Sequence, residues 1–110
     1  MTASVVRTRR ADRDIAEIAD WTVERFGGAQ ARRYASAIAA TLHALHRAPQ
    51  VVGIRCRPDL GTNIWTVPVA GIRSRHIIVF AWNPAEQPGT VTVLRILHGA
   101  MDLPRHIDPA

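Results

Sequence analysis

The segment TVTVLRILHGAMDL, residues 90–103, is the stretch of this chain that decides its fold. Apolar and polar side chains alternate over Thr90–Leu97, which predicts a half-buried β-strand. The two faces of that strand carry Val91, Val93 and Arg95 against Thr92, Leu94 and Ile96. Gly99 directly follows His98, so we expect the strand to end there in a turn. The segment is therefore interpreted as the last strand of a sheet whose other strands come earlier in the chain.

Two further β-rich runs precede this strand. The first covers Ile64–Val69, and Pro68 near its end predicts a short or edge strand because proline has no backbone N–H to donate. The second covers Arg75–Trp82, and its nearly continuous apolar character predicts a central strand that is covered on parts of both faces. Residues 50–63 predict a loop. Because short connections join the three runs, we expect a three-stranded antiparallel meander.

Upstream of residue 50 the hydrophobic pattern changes to a helical period. The β-branched run Ser4–Arg7 predicts a first strand, and Thr8 has the side chain of a helix N-cap. An apolar stripe at spacings of three and four then continues to Phe26, where the Gly27-Gly28 pair predicts the helix end. A second helix is predicted over Ala29–Arg47. The two-glycine connection implies an antiparallel two-helix hairpin.

The predicted element order is β-α-α-β-β-β, an α+β fold with the helical hairpin packed on one face of the sheet. The chain has 110 residues, which is the size of one domain, so residues 1–110 are assigned to a single domain. No apolar run approaches the roughly 18–20 residues that a membrane span needs. The N-terminus carries charges where a signal peptide needs an apolar stretch. We therefore expect a cytoplasmic protein.

Charge narrows the function classes. The net charge is +5, and every cationic side chain apart from the histidines is arginine. The lack of lysine excludes Schiff-base chemistry and a lysine general base. Arginine presents a planar fork that pairs with carboxylate or phosphate, so an acidic partner is expected, either nucleic acid or an acidic protein segment. The total charge does not distinguish between the two.

The residue types that usually hold metals or cofactors are sparse. Cys56 is the only cysteine, and we expect it to be a partly buried small apolar residue. His43 and His46 are three residues apart, but no carboxylate or thiol is near them in sequence, so we expect surface histidines. No phosphate-binding glycine loop and no catalytic triad order is present. The sequence predicts neither a metal nor a cofactor.

Arg95 and His98 each leave two interpretations open. A buried arginine needs a partner, because an unpaired charge in the interior is costly. That partner is either an internal carboxylate, such as Asp102 or Glu17, or a ligand in a groove that opens at that face. His98 either fixes the turn by a hydrogen bond to a backbone carbonyl, or acts as an acid or base, since its unperturbed pKa is about 6.5.

Three pieces of sequence carry a family resemblance, which covers roughly residues 4–107. The closing segment from Arg95 to Asp102 fits a strand that ends in R-[IV]-L-H followed by G-x-x-D. The pattern S/T-x-x-A-x-x-D-L-x-x-I occurs from Thr8 to Ile18, with Ile15 in place of leucine. Between them follow Pro49, Gly53, Arg55, Arg57 and Leu60-Gly61. In this order, the pieces resemble ParE toxins of the bacterial RelE/ParE superfamily.

The resemblance implies the toxin of a type II toxin–antitoxin system. Toxins similar to ParE inhibit DNA gyrase by binding and are neutralised by a ParD-like antitoxin, with which they form a hetero-oligomer; nucleic acid would be contacted through either partner. The alternative is a ribosome-dependent mRNA endoribonuclease similar to RelE. A third reading is a binding-only relative without toxicity. The first reading is non-enzymatic.

Candidate residues follow for each reading. The partner-binding candidates are Trp21, Arg55, Arg57, Arg95, His98, Met101, Leu103 and Ile107. A nuclease would need a general base, a general acid and cations on the phosphorane, for which the candidates are Arg73, Arg75, Arg95 and His98. Against the nuclease stand the lack of lysine and the expected distance of Tyr34 from the closing motif. Trp65 and Trp82 are expected to pack within the sheet.

Overall fold

The computed structural model describes residues 3–48, 50–70, 76–86, 89–99 and 103–107. It contains five strands, one long helix, a short 3-10 helix at Leu45–Arg47 and a short C-terminal helix. The elements are β1 (Ser4–Arg7), α1 (Arg9–Ala44), β2 (Arg55–Cys56), β3 (Ile64–Pro68), β4 (His76–Ala81), β5 (Thr90–His98) and α2 (Leu103–His106). The class is α+β, as the sequence predicted.

The five strands form one mixed sheet in the order β1-β5-β4-β3-β2. Consecutive strands from β2 to β5 pair antiparallel, whereas β1 pairs parallel with β5, with Ser4 opposite Thr90. The three strands of the predicted antiparallel meander are β3, β4 and β5, but a meander of three strands is not confirmed as the whole sheet, which also contains β1 and β2. The sequence prediction gave β1 no partner strand, because a pairing between residues 86 positions apart has no local signal. It also assigned Arg55–Cys56 to a loop, because two residues are too few to show an alternation.

Helix α1 begins at the predicted cap, where the Thr8 hydroxyl accepts a hydrogen bond from the Ala11 N–H at 3.1 Å. The helix continues to Ala44, and only Gly27 leaves the helical conformation, at φ 85° and ψ 173°. The predicted hairpin of two separate helices is not confirmed, because the chain returns to helix at Gly28 without a loop. We call Arg9–Phe26 the first arm of α1. No helix among the described residues is both long and apolar enough to cross a membrane.

Buried apolar side chains form two clusters. The first contains residues from both ends of α1, such as Ala11 and Leu42, packed on β3, β4 and β5. The second consists of Leu60, Ile64, Val79, Leu97, Leu103 and Ile107. Along β4, Ile78 and Phe80 belong to the first cluster and Val79 to the second. Since neighbouring side chains of a strand point to opposite faces, the two clusters cover the two faces of the sheet.

A β-bulge interrupts β5. Val79 pairs with Arg95 and Phe80 pairs with Val93, so Leu94 is an extra residue without a partner in β4. The predicted alternation along β5 is therefore wrong beyond Val93. Ile96 belongs to the same buried cluster as Val93, although their separation of three residues would place them on opposite faces of a regular strand.

Candidate partner-binding site

The centre of the site is an ion pair between α1 and β5. The Arg95 guanidinium donates to the Asp14 carboxylate through Nε at 2.7 Å and Nη2 at 3.1 Å. The Ile96 N–H donates to the same carboxylate at 3.0 Å. The side chain of Asp14 is 5% exposed and that of Arg95 is 14% exposed. Glu17 is thus not the partner that the sequence suggested for Arg95, and Asp102 lies outside the described residues.

The bulge and the end of β1 explain this arrangement. Strand β1 ends where Arg7 pairs with Val93, so the β5 edge beyond that point has no neighbouring strand to accept its N–H groups. The Thr8 hydroxyl donates to the Leu94 carbonyl at 3.0 Å, and Asp14 accepts from Ile96. The first two turns of α1 therefore satisfy the backbone that β1 leaves exposed. A buried N–H without a partner would be costly.

A groove of about 440 Å³ runs along the first arm of α1 and the end of β5. We call it the histidine groove, after the two imidazoles in its wall. It is lined by Arg10, Asp14, Glu17, Ile18, Trp21, His76, Arg95, Ile96, Leu97 and His98. Three predicted partner-binding residues, Trp21, Arg95 and His98, therefore share one surface.

Two histidines and a tyrosine form a chain of contacts at this groove. His76 and His98 pair across β4 and β5, with ring centroids 5.6 Å apart and planes at 84°. The Tyr34 hydroxyl lies 2.9 Å from Nδ1 of His76. The expectation that Tyr34 lies far from the closing motif is thus wrong, because α1 carries it back over the sheet. His76 was missed as a site residue, although its place in the strand opposite the closing segment was a usable signal.

Burial lowers the pKa of His76, and the nearby His98 lowers it further. The His76 ring is therefore biased towards its neutral form, since an imidazolium there would lose hydration and lie beside a second titratable ring. A neutral imidazole has one donor and one acceptor nitrogen. One of these nitrogens, Nδ1 of His76, contacts the Tyr34 hydroxyl in the wall of the groove.

Exposed aromatic residues extend the groove along α1. Trp21 is 44% exposed and Phe26 is 62% exposed, and their rings meet edge to face with centroids 5.8 Å apart. The guanidinium carbon of Arg25 lies 5.3 Å from the Trp21 ring centroid. Exposed large apolar side chains that contact each other are typical of interaction surfaces. We call Trp21, Arg25 and Phe26 the aromatic patch.

The remaining predicted residues lie elsewhere. Arg55 is exposed on β2, at the opposite edge of the sheet from β1. Arg57 donates two hydrogen bonds to Asp59, at 2.9 and 2.7 Å, which raises the pKa of Arg57 and lowers that of Asp59. Leu103 and Ile107 are buried in the second cluster, so their side chains pack against the sheet. Arg73, Arg75 and Met101 lie outside the described residues.

Other expectations from the sequence have mixed outcomes. Cys56 is exposed on β2, so the expectation of a partly buried cysteine is wrong. The rings of Trp65 and Trp82 pack with their centroids 5.3 Å apart, and the indole N–H of Trp65 donates to the backbone carbonyl of Trp82 at 3.0 Å. The expected packing of both residues within the sheet is confirmed. His43 is exposed, but His46 is partly buried with Nδ1 2.6 Å from the Ala3 carbonyl. Across the described residues no group of three or more His, Cys, Asp or Glu side chains is placed to bind a metal ion.

Comparisons with known proteins agree with this fold. A family model described as the ParE toxin of the type II toxin–antitoxin system parDE matches residues 5–103. No curated protein sequence matches significantly. Among solved structures, the chain is similar to a chain described as the chromosomal ParDE TA system from P. aeruginosa, with a TM-score of 0.69 and 22% identity over 88% of this chain and 96% of that one. The family match spans almost the whole sequence, and the chain therefore belongs to the ParE toxin family of type II toxin–antitoxin systems.

Proposed function

We propose that this protein inhibits DNA gyrase by binding it in the cytoplasm and is neutralised by a ParD-like antitoxin with which it forms a hetero-oligomer. The observation that carries the proposal is the match to the ParE toxin family over residues 5–103. The surface of the described residues supports a binding role, because exposed aromatic side chains continue into an open groove. Such surfaces suit a protein partner.

The Asp14–Arg95 pair favours binding over catalysis. Cleavage of RNA through its 2′-hydroxyl needs a cation beside the developing phosphorane. Arg95 was the candidate closest in sequence to His98, but its guanidinium is held by the buried Asp14 carboxylate. Moving it to a phosphate would take the closest cationic partner away from the buried Asp14 carboxylate, which would keep only the Ile96 N–H among its short hydrogen bonds. The ion pair therefore holds Arg95 in a structural role, and this arginine is poorly suited to be a catalytic cation.

The antitoxin is proposed to bind along the first arm of α1. An amphipathic helix docks its apolar face into a groove with anchors every three or four residues. The aromatic patch supplies such an anchor surface, and the histidine groove continues from it towards β5. Trp21 belongs to both, so it is the residue most suited to be a central contact. Tryptophan is enriched among residues that dominate binding energies.

One observation favours the alternative, a ribosome-dependent endoribonuclease. His76 and His98 lie side by side in the groove, and Tyr34 contacts His76. A neutral imidazole next to a second imidazole is suited to general base and general acid roles. If the chain is a nuclease, we propose that these two histidines carry the proton transfers, with the predicted Arg73 and Arg75 as the candidate cations.

The two functions are separated by assaying the purified protein in parallel. Gyrase supercoiling is measured with and without the protein, and translated mRNA is mapped by primer extension. Inhibited supercoiling with intact mRNA supports the proposal, whereas cuts in phase with codons support the nuclease. The double variant His76→Gln/His98→Gln is the control for chemistry. It should abolish cleavage by a nuclease and leave gyrase inhibition by a binding toxin measurable.

A further inference from the structure

The outer edge of β1 has backbone groups that no other strand pairs with. The backbone N–H groups of Ser4 and Thr8 donate to carbonyls on the β5 side of the strand. Since alternate residues of a strand direct their backbone groups to the same side, Val5 and Arg7 each direct an N–H and a C=O away from β5. Within the part of the chain that the structure describes, no residue forms a hydrogen bond to these outward groups. Such an edge can accept another strand.

The start of the same edge is covered by the end of the long helical segment. Ala3 donates its N–H to the His46 carbonyl at 3.0 Å, and the Ala3 carbonyl lies 2.6 Å from Nδ1 of His46. These two contacts satisfy the backbone of Ala3 and fix the beginning of β1. The outward groups of Val5 and Arg7 lie beyond this contact, so the strand is held in place while its edge is left for a partner.

A groove lies beside this edge, between β1, the first arm of α1 and the later part of the same helix. Its volume is about 460 Å³, within the usual range of ligand sites. We call it the β1 groove, and its apolar wall consists of Val5, Ile15, Ala35, Ile38, Ala39 and Leu42. Ala35 and Ala39 are exposed small residues next to the buried Ile38 and Leu42. The wall therefore offers aliphatic surface to a side chain that enters from the edge of the sheet.

The outward groups of β1 determine the chemistry of the occupant. A nucleic-acid backbone could accept from the two N–H groups, but its negative charge would face the carbonyl oxygens of the same edge. An extended polypeptide offers an N–H to each carbonyl and a carbonyl to each N–H. Every second side chain of such a strand lies on the α1 face of the sheet, where the β1 groove can bury it. The edge and the groove together fit an extended polypeptide with an apolar side chain.

We propose that the antitoxin adds an extended strand to the outer edge of β1 and places an apolar side chain in the β1 groove. This inference rests on the proposed function, because it takes the antitoxin to be the partner. A second copy of this chain is disfavoured, since two copies with a net charge of +5 each repel one another.

The added strand lies next to the position proposed for the antitoxin helix. Asp12 and Ile15 line the β1 groove, whereas Asp14 and Ile18 line the histidine groove. The first arm of α1 is thus a wall of both grooves. An antitoxin helix along this arm and a strand at β1 are therefore within reach of one continuous chain.

The first test is backbone amide exchange, followed by NMR on isotope-labelled full-length toxin with and without the purified ParD-like antitoxin. In the free toxin, the amides of Val5 and Arg7 should exchange faster than that of Val6, whose N–H faces β5. The antitoxin should slow the exchange at Val5 and Arg7 roughly tenfold or more, because both N–H groups gain acceptors. Cys56 is the control on the opposite edge. Its N–H points away from β3, since Arg57 donates to Ile64, and its exchange rate should stay unchanged.

The second test changes the edge itself. Val5→Pro removes one outward N–H and places the proline ring where the added strand would lie. Proline is tolerated at a sheet edge when its nitrogen faces outward, so the free toxin should remain folded, which thermal unfolding checks. The Kd for the antitoxin, measured by calorimetry, should rise roughly tenfold or more. Val5→Ala is the matched control, because it shortens the same side chain but keeps the N–H, and Kd should stay within about threefold.

The outcomes separate the inference from the proposed function. An antitoxin that does not bind the wild-type toxin would refute both. Binding without slower exchange at Val5 and Arg7 overturns the inference alone. Equal weakening by Val5→Pro and Val5→Ala also overturns it, because the side chain would then be responsible. Protection in the free toxin that grows with its concentration would assign the edge to a second copy, and protection by gyrase but not by the antitoxin would assign it to gyrase. Either of these results overturns the proposal.

Discussion

Asp14 and Arg95 are 81 residues apart in the sequence and form a two-point hydrogen-bonded ion pair between α1 and β5. The same carboxylate accepts from the Ile96 N–H, so one buried side chain satisfies three donors. The aspartate of the sequence pattern that begins at Thr8 and the arginine of the closing motif are thus a single structural unit. Both residues belong to the motifs on which the family resemblance depends, and in this chain the two motifs are joined by this pair.

Asp14→Ala should strongly destabilise the protein. It leaves the largely buried Arg95 guanidinium and the Ile96 N–H without their acceptor, and removing one partner of a buried pair costs roughly 3–5 kcal/mol. Urea denaturation of the purified toxin gives the free energy of unfolding. Asp12→Ala is the matched control, because Asp12 pairs with Arg7 at an exposed site and should cost at most about 1 kcal/mol. Equal losses for the two variants would contradict the structural role of Asp14.

Gly27→Ala should destabilise the protein by about 1–3 kcal/mol, the usual cost of a non-glycine residue in that backbone region. A Cβ at Gly27 would meet no atom within 4 Å, so the cost arises from the backbone at φ 85°. Gly28→Ala is the adjacent control. Its Cβ would meet only the flexible end of Arg32, so stability should stay equal or rise by up to about 1 kcal/mol. Urea denaturation of both variants compares the two, and a loss at Gly28 as large as at Gly27 would rule out the backbone explanation.

Local features of the fold could be predicted from the sequence. The β1 run, the Thr8 cap and the three later strands have signals within a few residues, and the structure confirms their presence. The helical break at Gly27 was also placed correctly, although its form was not. Glycine signals that a helix can be interrupted, but it does not say whether a loop follows. The parallel partner of β1 and the short β2 depend on contacts between distant residues, which periodicity cannot show.

The candidate site was predicted only in part, because contacts between residues far apart in the sequence leave no local signal. Trp21, Arg95 and His98 were singled out by their residue types and lie on one groove. Of the two alternatives for Arg95, the internal carboxylate is confirmed, but the residue is Asp14, which the sequence did not single out as its partner. The bulge at Leu94 changes where the arginine points, and a single extra residue in a strand has no sequence signal of its own. His76 could have been found from its place in the strand opposite the closing segment, but its contact with Tyr34 could not, because the two residues come together only in the folded chain.

His76 should make the stability of the toxin depend on pH. Burial lowers its pKa below the ordinary value of 6.5, and His98 adds to the effect. The unfolded chain therefore binds this proton at a higher pH than the folded chain does. The free energy of unfolding should fall as pH decreases below 6.5 and should stop falling, as far as this group contributes, once the pH is below the folded pKa.

Urea denaturation at about pH 7.5 and about pH 5.5 measures this difference in stability. His76→Gln should reduce the difference, and His98→Gln should reduce it by less because it removes only the smaller cause. His43→Gln, on the exposed surface of α1, controls for the substitution itself. A wild-type pH difference that persists in His76→Gln would contradict the assignment to this ring.

Leu103→Ala should destabilise the isolated toxin by about 2 kcal/mol or more, since it empties part of the buried second cluster. The sequence suggested that Leu103 and Ile107 contact a partner, and their burial gives them a role before any partner binds. Val52→Ala is the control, because Val52 is 93% exposed and its loss should change stability by at most about 0.5 kcal/mol. Thermal or urea unfolding without a partner is the measurement. An unchanged stability in Leu103→Ala would contradict the structural role of Leu103 and favour its predicted role in partner binding.

Trp21→Ala should weaken antitoxin binding far more than it weakens the fold. The ring is partly exposed, lies between the aromatic patch and the histidine groove, and contacts Phe26 and Arg25 rather than the sheet core. A tryptophan at the centre of an interface contributes about 2 kcal/mol or more, which is roughly thirtyfold in Kd. Calorimetric titration with the ParD-like antitoxin measures the loss of affinity, and thermal unfolding measures the stability of the variant.

Trp21→Phe should recover part of the affinity because it keeps an aromatic surface. Val6→Ala, an exposed apolar residue on β1 outside the groove, should leave Kd within about twofold. If Val6→Ala weakens binding as much as Trp21→Ala, the antitoxin does not anchor on the first arm of α1.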